Sequence, residues 1–259
     1  MRKKKSSLVV VVNLLIIICL LVCLIAGYNV VSIVEEYNVG TKEYDRLQEV
    51  VDSIAEPSSP NIQNVMNATA TNKNPIDFKK LQSVNDDIRA WIVMPGIGIS
   101  YPIVQGNDND EYLHSTFYKT YNFAGCLFID ANCKDGLNGF NCIIYGHNMK
   151  NGSMFGKLKD YTDQNFCLKN QNFYVFMSNQ VREYQIFNVA YVNQIDDAYN
   201  VPQTEEENFD YLKMMTERGL FSTGVSVGKA DRTVTLSTCT TEASTRLVIQ
   251  GKIVAVRNF

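Results

Sequence analysis

From about residue 90 onward the chain is a succession of short apolar runs separated by turn residues, and this pattern constrains its fold most strongly. The predicted strands are 91–94, 99–104, 126–130, 142–147, 172–176, 182–193, 233–239 and 246–257. Short strands with turn signals between them are typical of closed β architectures. We therefore predict a mainly β (α+β) fold, an eight-stranded β-barrel with peripheral helices.

Helices are predicted at only a few places around these strands. They cover residues 75–87, 108–113, 154–161 and 204–218. The last helix lies inside the longest interruption, 194–231, and carries Phe209, Leu212 and Met215 on one face. An insertion of this length usually has a function, such as forming one wall of a substrate groove.

The N-terminal segment differs in character from the rest of the chain. Four basic residues at positions 2–5 precede the segment 8–28, which is apolar from Leu8 to Ala26 except for Asn13. As a helix it would be about 31 Å long, enough to cross the hydrocarbon core of a bilayer. A cleaved signal peptide is the alternative, but its apolar core would be about 7–15 residues and would end in a small-x-small site. We expect an uncleaved anchor.

The charge pattern predicts the orientation of this anchor. Basic residues beside an apolar span stay in the cytoplasm, so 1–7 is predicted as a cytoplasmic tail, 8–28 as a transmembrane anchor and the remainder as extracellular. Four of the 24 basic residues lie in the tail and all 27 acidic residues follow it, which gives the outer part a net charge of −7. That charge argues against nucleic acid or an anionic membrane surface as a partner.

Residues 29–74 connect the anchor to the predicted barrel. Apolar side chains recur at three- and four-residue spacings over 30–54, which predicts a stalk helix that leaves the membrane. Residues 56–74 are rich in Pro, Ser, Asn and Thr and are predicted to be a linker. The predicted folded domain is therefore 75–259.

The seven cysteines do not form a disulfide framework in a chain of 259 residues. Two lie in the anchor. Cys126 and Cys142 lie in strand-like runs and are expected to be buried as small apolar side chains. Cys133 lies in a polar turn and Cys167 in a helix–loop region, and the sequence leaves open whether any of these four pair. With no CxxC motif and only two histidines, a metal site is not expected.

Three side chains at predicted strand ends suggest covalent acyl chemistry. Cys239 ends one apolar strand, Arg246 begins the next, and His147 closes the strand-like run CIIYGH. Neighbouring antiparallel strands lie about 4.8 Å apart, so a hairpin would place the thiol beside the guanidinium. A thiol can act as nucleophile, an imidazole can move protons, and a guanidinium only donates hydrogen bonds and positive charge.

Other residues compete with these three or accompany them. His114, in the segment EYLHSTF, is interpreted as a solvated or packed residue, whereas a sharp Tyr-Gly step lifts His147 out of its sheet. Ser237 shares a strand face with Cys239, because alternate residues of a strand point the same way. Glu242 is the acidic residue nearest the thiol in the sequence, and we interpret it as structural.

Together these motifs resemble the sortases, a family of Gram-positive cysteine transpeptidases. The resemblance rests on the TLSTC strand with an arginine after it, the YGH before a loop, and the N-terminal anchor. The stretch DIRAWIVMPGIGISYPIVQGNDNDEYL and the long insertion before TLSTC look like class B, and the resemblance covers about 75–259. The separation between Cys239 and Arg246 is shorter than in some class B sortases, which leaves open the shape of the loop 240–245.

The resemblance implies an activity and a role for each motif residue. Cys239 would attack the Thr carbonyl of a sorting-signal pentapeptide, of the NPxTx or xPxTG type, and form a thioester. Arg246 would stabilise the oxyanion, and His147 would protonate the departing amine and deprotonate the incoming one. The residues implied to bind the pentapeptide are Asn109, Leu113 and Ser237.

The thioester route needs no metal or organic cofactor. The implied partners are secreted proteins with a C-terminal sorting signal and a lipid-linked peptidoglycan precursor, whose amine accepts the acyl group. The membrane is contacted through the N-terminal helix. Two alternatives stay open: a pilus-polymerising sortase with a pilin lysine as acceptor, and a non-catalytic tethered barrel that only binds peptides.

Overall fold

The computed structural model describes residues 3–52 and 74–259, with side chains over 8–47 and 74–259. The chain divides into two compact units, one ending at Lys42 and the other extending from Glu43 to Phe259. The predicted linker, 56–74, lies outside the described residues except for Asn74, as does the predicted end of the stalk helix at Ile54.

The first unit is helical. Helix α1 (Lys3–Asp52) covers the predicted anchor, 8–28, and continues through the stalk segment. The large apolar side chains of the anchor are between 46% and 75% exposed in the isolated chain, and an apolar surface of this length suits a lipid environment. Among the described residues one helix, over Leu8–Leu47, is long and apolar enough to cross a membrane.

The second unit is built on a closed barrel of eight strands. The strands are β1 (Ile88–Met94), β2 (Ile99–Val104), β3 (Leu127–Ile129), β4 (Asn141–Tyr145), β5 (Asn172–Phe176), β6 (Gln180–Asn193), β7 (Thr233–Cys239) and β8 (Thr245–Asn258). Around the barrel they follow the order β1-β2-β3-β4-β7-β8-β6-β5. The pairs β2–β3 and β4–β7 are parallel and the others are antiparallel. The predicted eight-stranded barrel is confirmed.

Three short helices surround the barrel. They are α2 (Phe78–Val84), α3 (Gln164–Lys169) and α4 (Glu205–Glu217). Helix α2 is shorter than the predicted 75–87, because the Asp77 carboxylate caps its start by accepting from the backbone N–H of Lys80 at 3.0 Å. Helix α4 lies in the insertion between β6 and β7 and covers the barrel wall, where Leu212 and Met215 pack in one buried cluster with Phe187 and Val248.

The start of α4 is specified by its own sequence. The Thr204 hydroxyl accepts from the backbone N–H of Glu207 at 3.2 Å, and three glutamates in the first turn complement the positive end of the helix. The buried face consists of Asn208, Tyr211, Leu212 and Met215. The predicted position of Phe209 on this face is wrong, because helical spacing turns it aside and leaves it 48% exposed.

Two other predicted helices differ in the structure. Over 108–113 the chain forms turns, since the Asp108 carboxylate accepts from backbone N–H groups two and three residues later, at 3.0 and 2.9 Å. Over 154–161 the helical residues belong to a 3-10 turn, Leu158–Thr162. Met154 has a φ of 50° and takes part in a β-bridge, so no helix starts there.

A buried polar network links α4 to three strands of the barrel. Thr235 of β7 lies opposite Gln250 of β8, and the Gln250 amide donates to the hydroxyls of Thr235 and Tyr211 at 2.9 and 2.7 Å. Asn141 of β4 accepts from the Thr235 hydroxyl and donates to the Tyr211 hydroxyl, both at 2.9 Å. Because buried polar groups are stable only when paired, these four side chains fix how the elements lie on one another.

The C-terminal part of α1 belongs to the second unit. The Tyr44 hydroxyl donates to the carbonyl of Gly125 at 2.6 Å, and its ring meets that of Tyr101 edge-on at 5.3 Å. Leu47 is 1% exposed. Tyr44 and Leu47 thus pack in the same compact unit as the barrel, upstream of residue 75, where the predicted folded domain begins.

We expect a chain lacking 1–28 to be soluble, monomeric and active, because these residues lie outside the second unit. A chain lacking 1–47 should be less stable by about 3–6 kcal/mol, since burial of Tyr44 and Leu47 contributes about 1.5–3 kcal/mol each. Urea unfolding of 29–259 and 48–259 measures the difference, with Tyr44→Ala in 29–259 as the point variant. Equal unfolding free energies for the two lengths would contradict this packing.

Candidate active site

The hairpin of β7 and β8 brings Cys239 and Arg246 together. The two residues lie directly opposite each other in the antiparallel ladder. The loop between them is closed by Thr240, whose backbone N–H and hydroxyl both donate to the carbonyl of Thr245 at 3.3 and 3.2 Å. Glu242 accepts from the Thr245 hydroxyl at 2.9 Å, which agrees with a structural role. The short separation between Cys239 and Arg246 is thus spanned by a hairpin loop that Thr240 and Thr245 close.

The Cys239 thiol is free and exposed, unlike the four other cysteines of the second unit, which are buried. The Cys239 carbonyl accepts from the Asn148 amide at 2.9 Å, so the end of β7 is tied to the loop that follows His147. An exposed thiol at a strand end can reach a bound substrate, whereas burial raises the pKa of Cys126 to about 12 and keeps that thiol protonated.

The guanidinium of Arg246 is held in place by neutral acceptors. One terminal nitrogen donates to the carbonyls of Ala243 and Thr245 at 2.8 and 3.1 Å, and the other donates to the Gln194 side chain at 3.1 Å. Three of its five N–H groups are thereby used, which leaves two for a ligand. Among the described residues no carboxylate forms an ion pair with it, so its positive charge is available to a developing anion.

His147 lies two residues beyond the end of β4, at the point where the chain leaves the sheet, whereas the predicted strand runs to His147 itself. Gly146 makes this exit possible, because a Cβ there would lie 2.4 Å from Leu127 and 2.6 Å from Phe155. The Gly146 carbonyl accepts from the Thr238 hydroxyl at 2.7 Å, and its N–H donates to the Ser237 carbonyl at 3.2 Å. These bonds set His147 beside the end of β7.

The imidazole of His147 has one nitrogen already engaged. Its Nε2 lies 2.7 Å from the carbonyl oxygen of Leu113. Because a carbonyl can only accept, Nε2 carries the hydrogen and Nδ1 is the basic nitrogen of the neutral ring. Burial lowers the pKa of His147, the bond to Leu113 raises it, and neighbouring His114 lowers it, with a net lowering. The ring is therefore neutral near pH 7 and able to accept a proton.

A cleft of about 330 Å³ joins these side chains. All six residues that the sequence predicts for the site line it: Asn109, Leu113, His147, Ser237, Cys239 and Arg246. It is also lined by residues that the sequence does not identify as site residues: Phe128, Tyr145, Gly146, Gln194, Ile195, Tyr199 and Thr238. The aromatic and aliphatic members make one wall apolar, and Ile195 is 88% exposed at its rim.

A second hydrogen-bond system supports the cleft away from the thiol. The buried carboxylate of Asp130 accepts from the Tyr145 hydroxyl at 2.8 Å and the Asn109 amide at 3.2 Å. The Ser237 hydroxyl lies 2.9 Å from that of Tyr199, whose ring is 6.0 Å from that of Tyr145. Burial raises the pKa of both phenols, and Asp130 raises that of Tyr145 further. Both tyrosines are therefore neutral hydrogen-bonding groups.

His114 lies closer to the site than the sequence suggests. Its ring stacks on that of His147, with centroids 5.7 Å apart and planes inclined by 16°. The prediction of a packed residue is right about the packing but does not include the contact with His147. Two histidines far apart in sequence give no signal of such a contact.

Comparison with known proteins agrees with this fold. A family model described as Sortase domain matches residues 92–254. Sortase B of Listeria monocytogenes is 36% identical over 185 residues, 69% of this chain and 74% of that protein. Sortase B of Staphylococcus aureus is 30% identical over 246 residues, 92% of this chain and 94% of that protein.

A solved structure agrees with these sequence matches. Sortase B from Bacillus anthracis superposes with a TM-score of 0.71 at 29% identity and covers 85% of this chain and 98% of that one. Sortases act in the cell envelope on proteins that bear sorting signals and on cell-wall precursors. With the matched barrel and the sequence motifs TLSTC and YGH, this chain belongs to the sortase family of cysteine transpeptidases.

Proposed function

We propose that this sortase cleaves a sorting-signal pentapeptide of the NPxTx or xPxTG type after its Thr and transfers the protein to a cell-wall precursor amine. The observation that carries the proposal is the convergence of three side chains on one cleft. A free exposed thiol, a neutral imidazole and an unpaired guanidinium line it, on Cys239, His147 and Arg246.

In the first step Cys239 attacks the Thr carbonyl, and the thiol proton passes to Nδ1 of His147. Arg246 donates its two remaining N–H groups to the carbonyl oxygen as negative charge develops on it. Donors that are already fixed cost no reorganisation in the transition state, and the bonds of Arg246 to Gln194 and Ala243 supply that fixation.

The proton then moves from His147 to the departing amine, and the acyl group remains on Cys239 as a thioester. In the second half an incoming amine attacks the thioester and Nδ1 takes its proton. The Cys239 thiolate leaves, and the proton on Nδ1 returns to the sulfur, which restores the thiol and the neutral imidazole. The Leu113 carbonyl, 2.7 Å from Nε2, stabilises the imidazolium that forms in each half. Protons balance over the cycle, so the mechanism uses only residues of this chain.

The apolar wall of the cleft supports binding of the pentapeptide's proline end. Leu113 and Asn109 lie on the same connection between β2 and β3, and the side-chain amide oxygen of Asn109, Oδ1, accepts from the backbone N–H of Ala131 at 2.8 Å. The amide is thus held in one orientation. Ser237, beside the thiol on β7, contacts the residues next to the cleaved bond. These three side chains are our candidates for substrate binding.

We place the enzyme at the cell membrane with residues 8–28 as a single-pass anchor, its basic tail in the cytoplasm and its barrel outside. The positive residues at 2–5 favour this orientation. The anchor confines enzyme, secreted substrate and lipid-linked acceptor to one layer, which raises their effective concentration.

The transfer step is tested by the fate of the acyl group. With the enzyme and a sorting pentapeptide alone, we expect slow hydrolysis and a Cys239-linked acyl intermediate detectable by mass spectrometry. A glycine- or diamino-acid-containing amine should divert product from free acid to amide without changing the cleavage position, because the positioned amine outcompetes water. Liquid chromatography with mass spectrometry gives the ratio of the two products.

The acceptor panel includes authentic wall precursor and a peptide with a free lysine side chain. Preference for the lysine peptide would favour a pilus-polymerising enzyme over wall anchoring. If every acceptor leaves only the free acid, the transferase assignment of this site fails and a hydrolase remains.

A further inference from the structure

The chain contains only two histidines, and their rings stack on each other at the candidate active site. The centroid distance of 5.7 Å and the interplanar angle of 16° are those of an offset stacked pair. The second ring, His114, has no part in the proton transfers proposed above. Its position against the imidazole that moves the protons is therefore unexplained by them.

His147 is held on two sides by adjacent residues of one turn. The Leu113 carbonyl holds the ring nitrogen Nε2 at 2.7 Å, and the His114 ring covers one face. A hydrogen bond fixes the direction of one ring atom but leaves the ring free to tilt about it. A stacked ring restricts that tilt, so the two contacts together define the orientation of Nδ1.

The turn that carries both contacts is itself braced. The His114 carbonyl accepts from the Asn122 backbone N–H at 2.9 Å, and Ser115 pairs with Tyr121 in a β-bridge. The centroid of the Tyr121 ring lies 6.1 Å from that of the His114 ring. His114 thus contacts a second ring besides that of His147, although its side chain borders solvent.

We propose that His114 is a positioning residue that orients the imidazole of His147 toward the thiol by ring stacking and opposes excess positive charge on it. The proposal rests on the proposed function, in which His147 moves protons to and from the reacting groups. It assigns to His114 no contact with substrate.

The electrostatic part follows from the distance between the rings. The His114 ring lies 5.7 Å from that of His147, and its Coulombic effect lowers the pKa of His147. The groups that face the two rings are the Leu113 carbonyl and the Tyr121 phenol from the turn, with Cys239 and Arg246 lining the same cleft from the hairpin. Among the described residues no carboxylate lines that cleft, although Asp130 accepts hydrogen bonds from two residues that do, Tyr145 and Asn109.

Replacement of His114 allows the protonation of His147 to be followed directly, because His147 is then the one imidazole left in the chain. The full chain in detergent micelles, with histidine labelled at Cε1 with carbon-13, is titrated by NMR as wild type, His114→Phe and His114→Ala. We expect the titration midpoint of the His147 resonance to move to higher pH in both variants, since both remove the neighbouring charge. Ser115→Ala, which keeps both rings, is the matched control and should titrate like wild type.

Kinetics separate the stacking from the charge. His114→Ala should lower kcat for pentapeptide cleavage about tenfold with KM unchanged, because a tilted imidazole misplaces the proton acceptor. His114→Phe keeps an aromatic face and should stay within about threefold of wild-type kcat at neutral pH. Thermal unfolding of each variant checks that the fold is retained.

Three results would overturn the proposal: wild-type kcat in His114→Ala, an equal loss of kcat in Ser115→Ala, or an unshifted His147 titration in both His114 variants. A fully active His147→Ala enzyme would refute the proposed function instead. The titration does not depend on activity, so the two failures can be told apart.

Discussion

Replacement of Cys239 by alanine is expected to abolish pentapeptide cleavage, with a loss on the order of 10⁴-fold or more. Among the described residues Cys239 is the one cysteine that lines the cleft, so the substitution removes the sulfur that forms the thioester. The side chain is exposed, so the free energy of unfolding should change by less than about 0.5 kcal/mol. Cleavage is measured by chromatography of the products, and stability by urea unfolding.

Cys167→Ala is the matched control, because it removes the same sulfur from a fully buried position. It should behave in the opposite way, with a stability loss of about 1–2 kcal/mol from the cavity and normal turnover per folded molecule. In a chain without residues 1–28, iodoacetamide should label Cys239 ahead of the four buried thiols. Normal turnover by Cys239→Ala would end the cysteine-enzyme assignment.

Arg246→Lys is expected to lower kcat/KM by about 10²–10³-fold although the positive charge is kept. An ammonium group cannot hold the Ala243 carbonyl and the Gln194 amide while also presenting two parallel N–H groups to an oxyanion. The loss should therefore appear mainly in kcat, as for a contact made in the transition state. Steady-state kinetics over a range of peptide concentrations separates the two parameters.

Arg257→Lys supplies the control for this substitution, since Arg257 is an exposed arginine on the same strand, β8. It should leave kcat/KM unchanged. The kcat/KM of Gln194→Ala should lie between those of Arg246→Lys and Arg257→Lys, because the substitution frees one edge of the Arg246 guanidinium but keeps the group itself. An Arg246→Lys enzyme as active as wild type would show that Arg246 is only a surface charge.

Much of the barrel could be predicted from the sequence because its strands are specified locally. Runs rich in β-branched and aromatic residues lie between turn residues, and in β1 every residue except Arg89 is apolar and buried, which shows that most of both faces is covered. Candidate site residues could be proposed as well, since Cys239 ends such a run, His147 closes another and Arg246 begins a third. Their chemistry and spacing are visible without coordinates.

What the sequence could not show are contacts between distant segments and turns made by side chains. Nothing local indicates that His114 meets His147 or that Tyr44 reaches Gly125 across the compact unit. The predicted helix over 108–113 fails because the Asp108 side chain competes with helical hydrogen bonds. The predicted burial of Phe209 is wrong for a different reason. The buried face of α4 is narrow and is occupied by other residues of the helix, so Phe209 lies beside it.

The buried pair Thr235 and Gln250 has a consequence for the hairpin that carries the thiol. Slippage of β7 against β8 by one residue would set Thr235 opposite Ile249 or Gly251 and break the buried hydrogen bond between Gln250 and Thr235, at a cost of about 1–3 kcal/mol. The same slip would separate Cys239 from Arg246. The Gln250 amide and the Thr235 hydroxyl thus fix the register of the hairpin four residues before the nucleophile. The alignment of Cys239 with Arg246 is therefore set inside the protein, where substrate and solvent do not reach.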